Sequence, residues 1–218
     1  MKMVIINPNS DEDMTAAIQE TARAYVQKRY TVSTCSTPGA PPFIETYEDA
    51  VCAAPGMMQL VREHESTCDA FILACHCDPH LDLLREITAR PVVGIGEASM
   101  KIATMLGHSF SILAATSHSV PNKEALAKTY GVYEFLSSIR VPAAKTKESY
   151  LLAAQAALQD GAEVIVLGCA GDTSLQKSIQ EALQVPVLDG VVCALMIAEG
   201  LVRCGITHSK VRRYNPHQ

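Results

Sequence analysis

One short pattern occurs twice in this chain and limits what it can fold into. Phe71-Ile-Leu-Ala-Cys75 and Ile165-Val-Leu-Gly-Cys169 are each an apolar run ending in a small residue and a cysteine, with the second cysteine 94 residues beyond the first. Downstream, Pro91-Val-Val-Gly-Ile-Gly matches Pro186-Val-Leu-Asp-Gly at a spacing of 95, and Ile102-Ala103 matches Ile197-Ala198 at the same spacing. Upstream, Met3–Ile6 followed by Asn9-Ser10 matches Phe110–Leu113 followed by Thr116-Ser117 at a spacing of 107. The first copy therefore carries extra residues, and the Pro- and Gly-rich stretch Ser36–Glu45 is where they fit. Such a loop either covers a site or is a plain surface excursion.

The repeat predicts two similar halves with a boundary near Gly94–Ala98. Residues 1–95 form the first half and 96–199 the second, with a C-terminal helix over about 200–218 returning to the first half. Short continuous apolar runs read as strands buried on both faces: Met3–Ile6, Tyr30–Thr34, Ala70–Ala74, Pro91–Ile95, Phe110–Ala114, Phe135–Ile139, Val164–Leu167 and Pro186–Leu188. Helical segments alternate with them: Asp11–Lys28, Ala50–Glu65, Pro79–Thr88, Ala98–Leu106, Val120–Tyr130, Lys147–Gln159, Thr173–Leu183 and Gly190–Cys204. The expected class is α/β: two pseudo-symmetric, doubly wound parallel-sheet domains with the active site in the cleft between them.

Composition narrows the function classes. With 48% hydrophobic and 19% charged residues, the 218-residue chain can bury a sizeable core. The net charge is −5 and the only basic cluster is Lys210–Arg213, read as a solvated chain end, so no nucleic-acid partner is expected. No apolar run reaches the roughly 18 residues of a membrane helix, and Asn7-Pro8 interrupts the N-terminal run before it resembles a signal peptide. A cytoplasmic setting follows as the expectation, with no membrane partner. The eight cysteines are then expected to be reduced, and most to act as small core residues.

Cys75 and Cys169 depart from that background. Each follows an apolar strand and precedes a helix, where open parallel sheets bind ligands. Free N–H groups and the helix dipole there favour a thiolate. Two such thiols facing one cleft suit proton abstraction from one face of an activated carbon and proton return on the other. The anion formed needs hydrogen-bond donors, for which Asn7, Asn9, Ser10, Thr116 and Ser117 are the candidates. Gly168, Ala170 and Gly171 let backbone N–H groups approach a ligand closely.

Competing site readings are weaker. Cys75-His76-Cys77-Asp78 with His80 has two cysteines too close in sequence for the usual zinc spacing, and no second cluster completes four ligands. No metal is expected. His76 and His80 read as surface residues at a helix N-terminus, and Cys77 as a buried or supporting thiol. Gly94-x-Gly96 lacks the third glycine of a dinucleotide fingerprint, so no nucleotide cofactor is expected, and Glu97 reads as a helix N-terminal carboxylate.

Several segments together resemble the hydantoin/allantoin racemase branch of the aspartate/glutamate racemase superfamily. They are Ile6-Asn7-Pro8-Asn9-Ser10, Ala74-Cys75-x-x-Asp78-Pro79, Val92–Ala98 and Leu167-Gly168-Cys169-Ala170-Gly171, with Pro42-Phe-Ile44-Glu45 and Ser119-Val-Pro121 in support. The resemblance implies two α/β domains, a two-cysteine cleft, no cofactor and racemisation at C5 of a hydantoin ring. It carries the proton-transfer roles to Cys75 and Cys169, a substrate contact to Ile44, and a homo-oligomeric state. The branch usually has an aromatic residue after the first cysteine and Pro-Gly-Leu after the aspartate. Cys75-His-Cys-Asp-Pro-His80 differs, which leaves allantoin, another 5-substituted hydantoin, and an open ureido or amino acid in play. An aspartate/glutamate-type racemase and a maleate-type isomerase are the alternatives within the superfamily. A non-catalytic small-molecule binding protein is the alternative outside it.

Overall fold

The computed structural model describes residues 1–215. It contains two four-stranded parallel sheets flanked by helices. The first sheet is built from β1 (Lys2–Asn7), β2 (Thr31–Ser36), β3 (Ala70–Leu73) and β4 (Val92–Gly94) in the order β2-β1-β3-β4. The second is built from β5 (Phe110–Leu113), β6 (Leu136–Arg140), β7 (Val164–Leu167) and β8 (Val187–Leu188) in the order β6-β5-β7-β8. The pairing repeats as well as the order. Ile6 lies beside Leu73 where β1 and β3 end, and Leu113 lies beside Leu167 where β5 and β7 end. The cysteine-bearing turns therefore leave equivalent strands of the two sheets.

Helices α1 (Glu12–Val26), α2 (Tyr47–His64), α3 (Leu81–Ile87) and α4 (Ile95–Leu106) belong to the first part of the chain. Helices α5 (Val120–Thr129), α6 (Lys147–Gln159), α7 (Gln176–Leu183) and α8 (Gly190–Cys204) belong to the second. Alternation along each strand splits the core into two layers per sheet. Met3, Ile5, Ala70 and Ile72 pack with Ile18 of α1 and with Val191, Ala194 and Ala198 of α8. Val4, Ile6, Phe71 and Leu73 pack with Met57 and Leu60 of α2 and Leu84 of α3. In the second sheet, Ile165 and Leu167 pack with Tyr150 of α6 and Ile179 of α7, while Phe110 and Ile112 pack with Met100 and Ala103 of α4. Each half's final helix thus covers the other half's sheet. The two crossing helices meet where Gly190 lies against Ile95, so close that a Cβ on Gly190 would fall 3.0 Å from the Ile95 Cβ.

Some boundaries differ from the sequence reading, for identifiable reasons. α2 starts at Tyr47 because Thr46 and Asp49 form a capping box. α4 starts at Ile95, inside the run expected to be strand, because a distant carboxylate caps it. Gly96 and Glu97 donate their N–H groups to Asp78 at 3.1 and 2.7 Å. The helix expected over about 200–218 stops at Cys204, where Gly205 takes the left-handed conformation (φ 66°). Residues 216–218 of that expectation lie outside the described residues. The basic segment is not a free end: Lys210 Nζ donates to the Arg85 carbonyl at 2.6 Å and Arg213 pairs with Asp82 at 2.7 Å. Among the described residues, no helix is long and apolar enough to cross a membrane.

Candidate active site

The turns after β3 and β7 line one cavity between the halves, and both Cys75 and Cys169 are in its wall. Asn9, Ile44, Thr116, Gly168 and Ala170 line it too. The remaining expected contacts fall elsewhere. Asn7 is fully buried behind the wall, where its amide donates to Asn9 Oδ1 (2.6 Å) and Thr15 Oγ1 (2.9 Å), so it orients Asn9. Ser10 is exposed and its N–H is taken by the Pro41 carbonyl. Ser117 faces an adjoining cavity of about 520 Å³ that shares Ile44, Glu45 and Cys77 with the first. Gly171 borders a third hollow on the far side of Cys169, with Asp172 and Tyr150.

The cavity is also lined by Met14 and Lys123, which the sequence reading did not single out, and by Phe43, Cys77 and Ser119, which it named without giving them a substrate contact. His76 is the plainest correction. Read as a surface residue, it is 2% exposed, because α4 of the crossing pair lies over the turn and Ser99 meets its Nε2 at 3.2 Å. Ser99 donates its own proton to the Ile95 carbonyl at 2.7 Å, so it accepts from His76 Nε2–H. That leaves Nδ1 as the acceptor, and Lys123 Nζ lies 3.4 Å from it. Burial, then the nearby Lys123 charge, holds the His76 pKa well below the ordinary histidine value, so the ring is neutral. His80 is half-buried, has a left-handed backbone (φ 55°) and places Nε2 3.0 Å from the Ala50 carbonyl.

Lys123 is 1% exposed, and its ammonium donates to the Gly168 carbonyl at 2.9 Å. Its sequence signal was periodicity: Lys123 and Ala127, one turn apart, form the buried face of α5. Asp78 was likewise not singled out for a role. Its carboxylate caps α4 and accepts the Tyr130 hydroxyl at 2.7 Å. Burial raises its pKa to about 6.

The thiols do not share one electrostatic setting. Cys75 and Cys77 lie in one turn and line the same cavity, so their ionisations are linked. The Cys77 side chain, then burial, pushes Cys75 well above the ordinary thiol range, whereas Cys75 draws Cys77 down to about 6 against its burial. The pair thus gives up a first proton easily and a second with difficulty. Cys75 and Cys169 both go against the expectation of a favoured thiolate; for Cys169, burial, then the Asp172 charge, pushes it up to about 11. The Gly171 N–H, 3.4 Å from its sulfur, opposes this only in part. A base on one wall and a protonated thiol on the other is an arrangement able to move a proton across a bound carbon acid.

Comparison with known proteins agrees over nearly the whole chain. A model of the family described as Asp/Glu/Hydantoin racemase matches residues 3–198. The chain is 36% identical to a hydantoin racemase of Rhizobium meliloti, with 98% of this chain and 94% of that protein covered. Among solved structures, an allantoin racemase from Klebsiella pneumoniae superposes with a TM-score of 0.95 at 29% identity, covering 100% of this chain and 94% of that one. The allantoin racemase from Pseudomonas fluorescens gives 0.93 at 31% identity, covering 100% and 99%. The chain belongs to the Asp/Glu/hydantoin racemase family and is, on that ground, an isomerase of the racemase type.

Proposed function

We propose that this racemase inverts C5 of a hydantoin- or allantoin-type cyclic ureide by proton transfer between two cysteines, without a cofactor. The observation that carries the reading is that Cys75 and Cys169, at equivalent ends of β3 and β7, line the same cavity. In the forward direction the Cys75–Cys77 pair, its negative charge on Cys77, takes the C5 proton onto Cys75 while the Cys75 proton passes to Cys77. The electron pair passes to the adjacent carbonyl, and the Cys169 thiol returns a proton to the opposite face. The reverse direction exchanges the roles. Thr116 Oγ1, buried with no protein partner, and the Asn9 amide serve as donors to the developing oxyanion.

A neutral ring fits this cavity better than a dicarboxylate. Its wall is largely apolar, with Met14, Phe43, Ile44 and Ala74, and Lys123 is its one cation among the described residues, with no arginine. A small-molecule substrate, a homo-oligomeric state and a cytoplasmic setting belong to the same proposal.

The test is a circular-dichroism racemisation assay on allantoin, several 5-substituted hydantoins, aspartate and glutamate, with Cys75→Ser and Cys169→Ser alongside. Turnover confined to the cyclic ureides and abolished in both variants is expected. Each variant should still exchange solvent deuterium into one enantiomer only, since one base survives. Full racemisation by either variant would sink the two-thiol mechanism.

A further inference from the structure

An ammonium buried to 1% exposure needs a compensating anion, and Lys123 makes no ion pair among the described residues. Its protein partners are the Gly168 carbonyl at 2.9 Å and the neutral His76 Nδ1 at 3.4 Å. These account for two of its three N–H donors and leave one. Gly168 directly precedes Cys169, and His76 lies between Cys75 and Cys77. Lys123 therefore sits between the two cysteine turns, in the wall of the cavity that both thiols line.

We propose that Lys123 is the resident counter-cation of the reaction, balancing in turn the thiolate that removes the proton and the anion this leaves on the substrate. The assignment rests on the two-thiol reading and adds a positioning residue to it. During turnover one negative charge moves from a thiolate to the substrate and on to the other thiolate. A cation fixed between the turns faces that charge at every stage, and the structure around it need not reorganise. The groups facing Lys123 are Cys75, His76 and Cys77 from the turn after β3, and Cys169 and Asp172 from the turn after β7. Glu45, from the loop after β2, shares the cavity wall. The Lys123 charge draws the three thiols toward ionisation, against the burial that opposes it. His76 holds no charge of its own. It is an uncharged prop that fixes the ammonium from the Ser99 side.

Lys123→Met preserves the aliphatic stem and removes the charge. Lys123→Gln keeps a donor for the Gly168 carbonyl if the methionine variant does not fold. The readout is the pH dependence of iodoacetamide alkylation at Cys75, Cys77 and Cys169 in the free enzyme, resolved by mass spectrometry. The midpoints are expected to move up by roughly one to three pH units, the effect of losing a nearby opposite charge. The kcat/KM for racemisation should fall about 10²–10³-fold, as when one preorganised stabilising group is removed. Alkylation midpoints that stay in place in a folded variant, whatever the activity, would overturn the assignment. The alkylation arm uses no ureide, so a chain that turned over no hydantoin would sink the substrate reading and leave this one standing.

Discussion

The Tyr130 hydroxyl, at the end of α5 in the second half, donates to Asp78 Oδ2 in the cysteine turn of the first half at 2.7 Å. The same carboxylate caps α4, so one side chain joins the Cys75–Asp78 turn to two helices. Tyr130→Phe removes one hydrogen bond to a buried, partly ionised group. The expected loss is about 1.5–3 kcal/mol. Urea unfolding checks it, with a lower midpoint and an unchanged slope.

Gly94 explains itself through the same carboxylate. A Cβ at this position would lie 2.3 Å from Asp78 Oδ1, and one at Gly96 would lie 2.7 Å from Oδ2. Gly94→Ala must push the carboxylate off the α4 N-terminus. A loss of about 1–3 kcal/mol is expected from the overpacking alone. Tyr130 fluorescence is too indirect to follow this, so thermal unfolding of the purified variant is the measurement.

Thiol reactivity should separate the two walls of the cavity. The thiolate is the reactive form, so a raised pKa means slow labelling at neutral pH. At pH 7 the Cys75–Cys77 pair should take up iodoacetamide before Cys169, whose labelling rises only as the pH climbs toward about 11. Peptide mapping after timed quenching gives the order. Cys169 labelled first at pH 7 would contradict the burial argument.

The C-terminal tail makes a different pH prediction. His208 Nε2 lies 2.8 Å from the Val92 N–H of edge strand β4 and 3.1 Å from the Val92 carbonyl, and accepts from the N–H only when that nitrogen carries no proton. Burial, then the Arg85 charge, holds the His208 pKa below the ordinary 6.5. The unfolded chain therefore takes up the proton first as pH falls. The stability from neutral His208 is complete above pH 6.5 and declines as pH drops through the lower folded value. The stability lead of wild type over His208→Gln should narrow below pH 6.5, as followed by urea midpoints across pH.

Much of this protein was set by local sequence. The strands were legible as continuous apolar runs because a strand covered on both faces carries no polar alternation. α6 and α8 span the predicted residues because their ends carry local signals: Thr146 and Asp189 as N-caps, and Gly205 after α8. The repeat alone paired Cys75 with Cys169, since equivalent strands end alike. Only the tertiary structure decided what surrounds those thiols. The cap of α4 comes from Asp78, the cover of His76 from α4, and the buried cation from α5. Each involves a side chain brought in from an element distant in sequence. Helix dipole and turn position, read locally, favoured thiolates, but burial between the two halves set the balance, and burial is a property of the whole fold.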